Sequence, residues 1–346
     1  MKNLYLLSGI LSASISAAVA QTHTTTIPTL PILPTSPTSG SSGPGVSFRN
    51  SRLASLHPST RPDDRGSASN DTGVFQAVDI LANAPTSAGV RSTGKGKVYI
   101  PPAAAGPVYS LFSEYNYINS NDARAVAGDT QTHSVTLGGA ALFHGDTLLG
   151  LNYSYSNGAA RRNAAGTSAQ SDAHFITLVA AKSFWRFMTV GVAGTYGHTD
   201  VDINATAGGG KSHAFSDTWG VSPFLSASYK SGPLVTSLTT MYQYQNDELH
   251  NAGTTSNDTG KFSVALRSTW SITERLKLQA SAKYNQIVQG LNDTPGLPEG
   301  RHWATFGGRL SFNASKSLEL YAGYAYDAFN LFLEDHTVTG GLRYSF

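Results

Sequence analysis

The sequence predicts an all-β fold, a transmembrane antiparallel up-and-down barrel of about twelve strands, behind a mostly disordered N-terminal segment. Three observations carry this. From Pro107 onward, segment after segment alternates apolar and polar residues with period two, which gives a strand two unlike faces. The connections between these segments alternate strictly between short and long. Aromatic residues gather at the segment ends.

Composition sets the bounds. The chain has 346 residues with Lys+Arg 24 against Asp+Glu 22, a balance that gives no hint of a nucleic-acid partner. Charged residues make up 13%, against a soluble average of about 25%. Cysteine is absent, which excludes a disulfide framework and any thiolate metal site. The mean hydropathy of -0.18 would suit a soluble protein. A barrel evades that test, because only every second residue of a strand faces lipid. After Gln21 no apolar run reaches the roughly 18 residues of a membrane-spanning helix.

Residues 1–20 read as a secretory signal peptide, handed to the secretion translocase. Lys2 supplies the charge, Leu4 to Ile15 the apolar run, and Ala18-Val19-Ala20 the cleavage pattern. Residues 21–106 form an exported segment. Its 22–47 portion, rich in Thr, Pro, Ser and Gly, cannot bury enough apolar surface to offset ordering entropy and reads as a tether. The remainder, 48–106, stays polar, with Arg61-Pro62-Asp63-Asp64-Arg65 as a charged knot. Within it, 72–84 is either a short helix or a loop with a few apolar residues. As a helix it would be capped by Asp71 or Thr72, would align Val74, Val78 and Leu81, and would stop at Pro85.

Residues 107–346 form the barrel. Strands are expected near 107–118, 132–143, 147–156, 172–184, 187–198, 214–229, 233–245, 261–270, 274–285, 302–313, 317–327 and 337–346. In 276–284, Leu276, Leu278, Ala280, Ala282 and Tyr284 alternate with Lys277, Gln279, Ser281 and Lys283. The segment 172–184 has the weakest pattern, with apolar residues on both faces. Short connections fall at 143–146, 184–187, 230–233, 271–274 and 313–316. Longer, Gly/Asn/Asp/Ser-rich ones fall at 119–131, 157–171, 199–213, 246–260, 286–301 and 328–336. That alternation matches short periplasmic turns and longer extracellular loops. The Gly208-Gly209-Gly210-Lys211 run lacks a strand before it and a helix after it, so it reads as a loop tip, not a phosphate loop.

Aromatics then form two rings. The outer one holds Tyr115, Tyr117, Tyr153, Tyr155, Tyr196, Trp219, Tyr242, Tyr244, Tyr284, Tyr324 and Tyr326. The periplasmic one holds Phe143, Phe184, Trp185, Tyr229, Trp270, Phe312, Tyr344 and Phe346. Such girdles sit at the headgroup level. In hydrocarbon every backbone N–H and C=O must be paired within the protein, so the last strand must meet the first.

A signal peptide, an exported N-terminal part and a twelve-stranded C-terminal barrel ending in aromatic-x-aromatic resemble an autotransporter of the type V secretion class. The likeness covers 107–346, including V-T-L-G-G-A-A-L-F-H-G-D-T-L-L-G-L-N-Y-S-Y-S and T-G-G-L-R-Y-S-F. It implies a translocator in the outer membrane of a Gram-negative cell, with outer-membrane lipid (lipopolysaccharide and phospholipid) around it. In that family a helix ahead of the first strand plugs the lumen, and Thr72–Ala84 is the candidate here. The terminal Leu342, Tyr344 and Phe346 resemble the signal read by the barrel assembly machinery. The exported part is far shorter than the family's usual passengers, and no Asn-Asn cleavage pair precedes the barrel. A surface-exposed tail on an anchored barrel is the expected outcome.

The predicted lumen face carries Lys261, Arg267, Arg275, Lys277, Lys283, Arg309 and Arg343, with Glu114, Glu319 and Asp327 as the main acids. This is either a selectivity surface for acidic solutes, as in a channel, or an interior where charges pair across strands. Arg309, Glu319 and Arg343, on three consecutive strands, are expected to form an Arg–Glu–Arg cluster. A hydrolase is the remaining alternative. Ser-Tyr-Ser-Asn-Gly at 154–158 resembles a phospholipase A neighbourhood, yet Tyr153 and Tyr155 stand where its histidine base is needed. His198-x-Asp200-x-Asp202 lies at an outer strand end, as omptin residues do, without the opposing carboxylates. No catalytic residue, cofactor or metal ligand is assigned.

Overall fold

The computed structural model describes residues 64–82, 89–93, 96–100, 107–122, 128–144, 146–162, 167–184, 187–205, 211–250, 254–289, 302–329 and 333–346. The predicted signal peptide, the 22–47 tether, Arg61 to Asp63 of the charged knot, Trp185 and Gly208 to Gly210 lie outside the described residues.

A helix, α1 (Asp64–Ala82), is followed by a small antiparallel hairpin, β1 (Gly89–Thr93) and β2 (Gly96–Ile100), in a polar stretch whose sequence predicts no strand. Twelve strands then close into one antiparallel barrel, each paired with its neighbours in sequence. They are β3 (Val108–Asp122), β4 (Gly128–Phe143), β5 (Thr147–Arg162), β6 (Thr167–Phe184), β7 (Met188–Ala205) and β8 (Lys211–Ser231). The circle continues with β9 (Leu234–His250), β10 (Thr254–Ser271), β11 (Leu276–Gln289), β12 (His302–Asn313), β13 (Leu318–Ala328) and β14 (Leu333–Ser345). Even 172–184, the segment with the weakest pattern, is the inner part of β6. The seam closes when β14 pairs with β3 from Leu333↔Asp122 to Ser345↔Ser110. Beyond it the Tyr109 and Phe346 backbones exchange two 2.9 Å hydrogen bonds, and their rings stack with centroids 5.8 Å apart.

Most strands outrun their predicted ends, chiefly at the long-connection rim. β5 reaches Arg162 instead of 156, β7 reaches Ala205 instead of 198, and β10 starts at Thr254 instead of 261. There the outward positions hold Asn157, Asp200, Asp202 and Asp258, so the apolar alternation fades. The backbone ladder persists because it needs only a neighbouring strand, whatever the side chains.

Outward positions are apolar at mid-height, as lipid contact requires, with Leu111, Leu151, Leu178, Val192, Leu266 and Leu310 all exposed. Inward positions are small and polar or buried against α1. Glycines make room for inward aromatics, at Gly138 for Phe112, at Gly197 for Phe175, and at Gly191 and Gly341. A Cβ on Gly191 would lie 2.3 Å from the Phe224 ring, and one on Gly341 would lie 2.5 Å from Tyr321. In β8, Pro223 lacks an N–H, and the β8–β9 register accordingly skips from Val221↔Tyr244 to Phe224↔Met241.

The outer girdle has a feature that the sequence reading missed. Three times, a Tyr-x-Tyr pair faces a histidine on the next strand. Tyr115, Tyr153 and Tyr324 hydroxyls lie 2.7, 2.7 and 2.6 Å from the Nδ1 atoms of His133, His174 and His336. The cross-strand partners of these histidines are Tyr117, Tyr155 and Tyr326. The signal was a histidine at an outward position in each partner strand.

Candidate functional site

The lumen is occupied by α1. The helix carries Val74, Ala77, Val78 and Leu81 at helical spacing, and all four are buried. They join one cluster with Leu142, Leu148, Val179, Ala181, Ala193, Phe224 and Met241 of the inner wall from β4 to β9. Gly73 faces β5 and β6 so closely that a Cβ there would lie 2.8 Å from Asn152 and 2.9 Å from Val179. Any larger residue there makes the Asn152 amide and the Val179 methyl give way.

The opposite face of α1 is charged and meets β10 and β11. Asp79 pairs with Arg267 at 3.3 Å, Asp71 pairs with Lys283, and the Arg267 guanidinium lies 4.1 Å from the centroid of the Phe75 ring. Asp71, Phe75 and Asp79 are four residues apart, so they share one stripe. Thr72 reaches a third sector, donating to Glu114 at 3.4 Å. Glu114 also accepts from Asn116 at 3.2 Å and from the Tyr321 hydroxyl at 3.0 Å.

These contacts fix the direction of the helix. In the β10–β11 register Lys283 stands opposite Ala265, two residues nearer the long-connection rim than Arg267. Asp71 therefore docks nearer that rim and Asp79 nearer the short-turn rim. The N-terminal end of α1 points toward the long connections, and Ala82 points toward the rim where β3 begins. Its 19 residues span about 28 Å at ~1.5 Å per residue, close to the thickness of the hydrocarbon layer, about 30 Å.

The predicted site residues divide as follows. Lys261, Arg267, Lys283 and Arg309 line the cavity beside α1. Glu319 sits 3.5 Å from Arg309 and 3.8 Å from Lys277, and Arg343 is its cross-strand partner on β14. Lys277 is thus the member of this group that sequence reasoning left out. Arg309 also lies over Tyr321, 3.4 Å from the ring centroid. Arg275 departs from expectation, standing exposed in the 272–275 turn because β11 begins one residue later. The helix departs too. It begins at Asp64, so Asp71 and Thr72 are interior residues that reach the wall and cap nothing. Leu342, Tyr344 and Phe346 face outward and are exposed.

The motifs weighed for catalysis are dispersed. Ser154 points inward and bonds to Thr136 at 2.9 Å, while Tyr153 and Tyr155 point to the lipid side. His198 and Asp200 lie 3.6 Å apart on the outer surface, in a chain of contacts with Asp217, His213, Asp202 and His250. Among the described residues no group of three or more His, Cys, Asp or Glu side chains is arranged to hold a metal ion.

A closed twelve-stranded barrel with short turns at one rim, an apolar exterior and a helix through its lumen is an outer-membrane β-barrel. No protein-family profile matches the chain, and no curated protein matches it in sequence. Its fold is that of autotransporter translocator domains. The translocator domain of the autotransporter NalP from Neisseria meningitidis superposes with a TM-score of 0.60 at 13% identity, covering 82% of this chain and 99% of that one. The β domain of the Bordetella autotransporter BrkA does so with a TM-score of 0.57 at 14% identity, covering 69% and 99%.

Proposed function

We propose that this protein anchors its own N-terminal segment at the cell surface, with α1 as the portion left inside the pore. The observation that carries this is the direction of α1. Its C-terminal end lies at the rim where the barrel strands begin, and its N-terminal end aims at the rim of long connections, which in this class of barrel is extracellular. A chain leaving α1 at Asp64 is thereby directed outward. The translocator domains of similar fold support the reading. Outward Leu342, Tyr344 and Phe346 suit recognition by the barrel assembly machinery. No bond-making chemistry is assigned to any residue.

A channel for acidic solutes is the weaker reading while α1 is seated, because Asp71 and Asp79 neutralise Lys283 and Arg267. The test is a protease site inserted near residue 50, with protease added to intact cells. Cleavage there, with the barrel left whole, is the expected result. Protection in intact cells and cleavage only after the outer membrane is opened would overturn the proposal.

A further inference from the structure

The half of the lumen that α1 leaves unfilled is a cavity of about 370 Å³, within the roughly 300–1,000 Å³ of small-ligand clefts. Ser120, Asp335 and Thr130, near the outer strand ends, line it, so it extends toward the extracellular rim. Its chemistry is lopsided in type and balanced in charge.

The wall on β4 and β5 is a run of hydroxyls from Thr130, Thr132, Ser134, Thr136, Ser154 and Ser156. The opposite wall holds Trp303, which is inward-facing and 3% exposed, with Lys261 over its ring at 5.9 Å. Four cations line the space (Lys261, Arg267, Lys283, Arg309) against five carboxylates (Asp71, Asp79, Glu114, Asp327, Asp335). Most of these are matched inside the protein. Lys283 and Arg267 are held by α1 and Arg309 by Glu319, Glu114 accepts three donors, and Asp335 accepts the Ser120 hydroxyl. Little net charge is offered to a ligand.

Uncharged polar groups are what remain. Both amide atoms of Gln76, on α1, lack a protein partner, as do Nδ2 of Asn285 and Oγ of Ser156. Gln76 is 7% and Asn285 1% exposed, and all three residues line the cavity. These atoms are enclosed, so an occupant reaches them only as their side chains turn into the cavity; a buried amide without a partner is costly, and such a turn relieves that cost. An aromatic face, a bank of hydroxyls and free amides suit a molecule with hydroxyl edges and an apolar ring face.

We propose that this cavity binds a neutral saccharide of one or two rings. The inference depends on α1 being seated and not on export of the segment before it. It is tested on the full mature chain in lauryldimethylamine oxide, whose headgroup is not a sugar. Glucose and maltose serve as neutral probes and glucuronate as the charged one. Emission from Trp303 is followed, since the other described tryptophans, Trp219 and Trp270, face outward, and calorimetry reads binding independently.

The expected result is saturable binding of a neutral sugar with Kd about 1 mM or tighter. The emission change should vanish in Trp303→Phe. Affinity should fall at least ~10-fold in Gln76→Leu, and glucuronate should bind more weakly than glucose by a similar factor. Ser156→Ala, a smaller change, should also weaken binding and serves if Gln76→Leu does not fold. Three results overturn the proposal: no saturable heat or emission change with either neutral sugar, binding unaffected by both side-chain changes, or glucuronate binding as tightly as glucose.

Discussion

The two halves of the lumen wall treat the same helix differently. From β4 to β9 the wall receives α1 through aliphatic and aromatic side chains, with Val74 and Val78 fully buried. At β10 and β11 it receives the helix through two ion pairs and a cation on the Phe75 ring. Apolar contact is non-directional and scales with area. Ion pairs add little net stability after desolvation, but a mismatched one is heavily penalised. The apolar half therefore supplies adhesion, and the charged half selects which way up and in which rotation the helix sits.

That division orders the expected effects. Val78→Asp places an unpaired carboxylate in the apolar half at a cost of several kcal/mol. It should unseat α1 and raise single-channel conductance in planar bilayers to the level of a barrel lacking 64–82. An unchanged conductance would mean that the apolar half is not what holds the helix. Arg267→Ala removes the ion-pair partner of Asp79 and should weaken seating by up to about 3 kcal/mol, whereas Arg267→Met with Asp79→Leu should recover most of that loss. Protease sensitivity of α1 in the isolated barrel reads both, and a double variant as weak as the single one would assign the charged half a larger share. Gly191→Ala, forced against Phe224, should cost roughly 1–3 kcal/mol in urea unfolding from vesicles. Gly194→Ala, which has nothing within 4 Å of the new Cβ, should change stability by no more than about 0.5 kcal/mol. Equal losses at these two glycines would show that the inner wall around Phe224 is loosely packed.

The same contrast separates what the sequence disclosed from what it hid. Period-two alternation exposed the barrel strands, because lipid on one side and lumen on the other impose opposite chemistry on neighbouring residues; it is weakest in 172–184, where inward Val179 and Ala181 pack on α1 and are apolar too. Val74, Val78 and Leu81 disclosed the apolar stripe of α1 for the same reason. The start at Asp64 stayed hidden because residues 64–70, D-R-G-S-A-S-N, carry no apolar repeat. The outer strand ends stayed hidden because polar outward residues meet water there and need no alternation. Asp71 and Asp79 looked like ordinary surface acids, since Lys283 and Arg267 are about two hundred residues away in sequence, and only closure of the barrel brings them together. Arg275 left the lumen because β11 starts at Leu276 and not at 274, and Lys277 joined the Glu319 group by reaching past β12, a neighbourhood that only the folded sheet creates.

Seating of α1 within this barrel, in the direction described, is most directly measured by cross-linking. The chain has no cysteine of its own, and a Cβ at Gly73 would lie 2.9 Å from Cγ2 of Val179, so sulfur atoms introduced at these two positions come within bridging reach. Oxidation of the Gly73→Cys/Val179→Cys protein in outer-membrane vesicles should join α1 to β6 in most molecules, while either single variant stays reduced. Two thiols that both remain open to alkylation in a folded barrel would contradict the account.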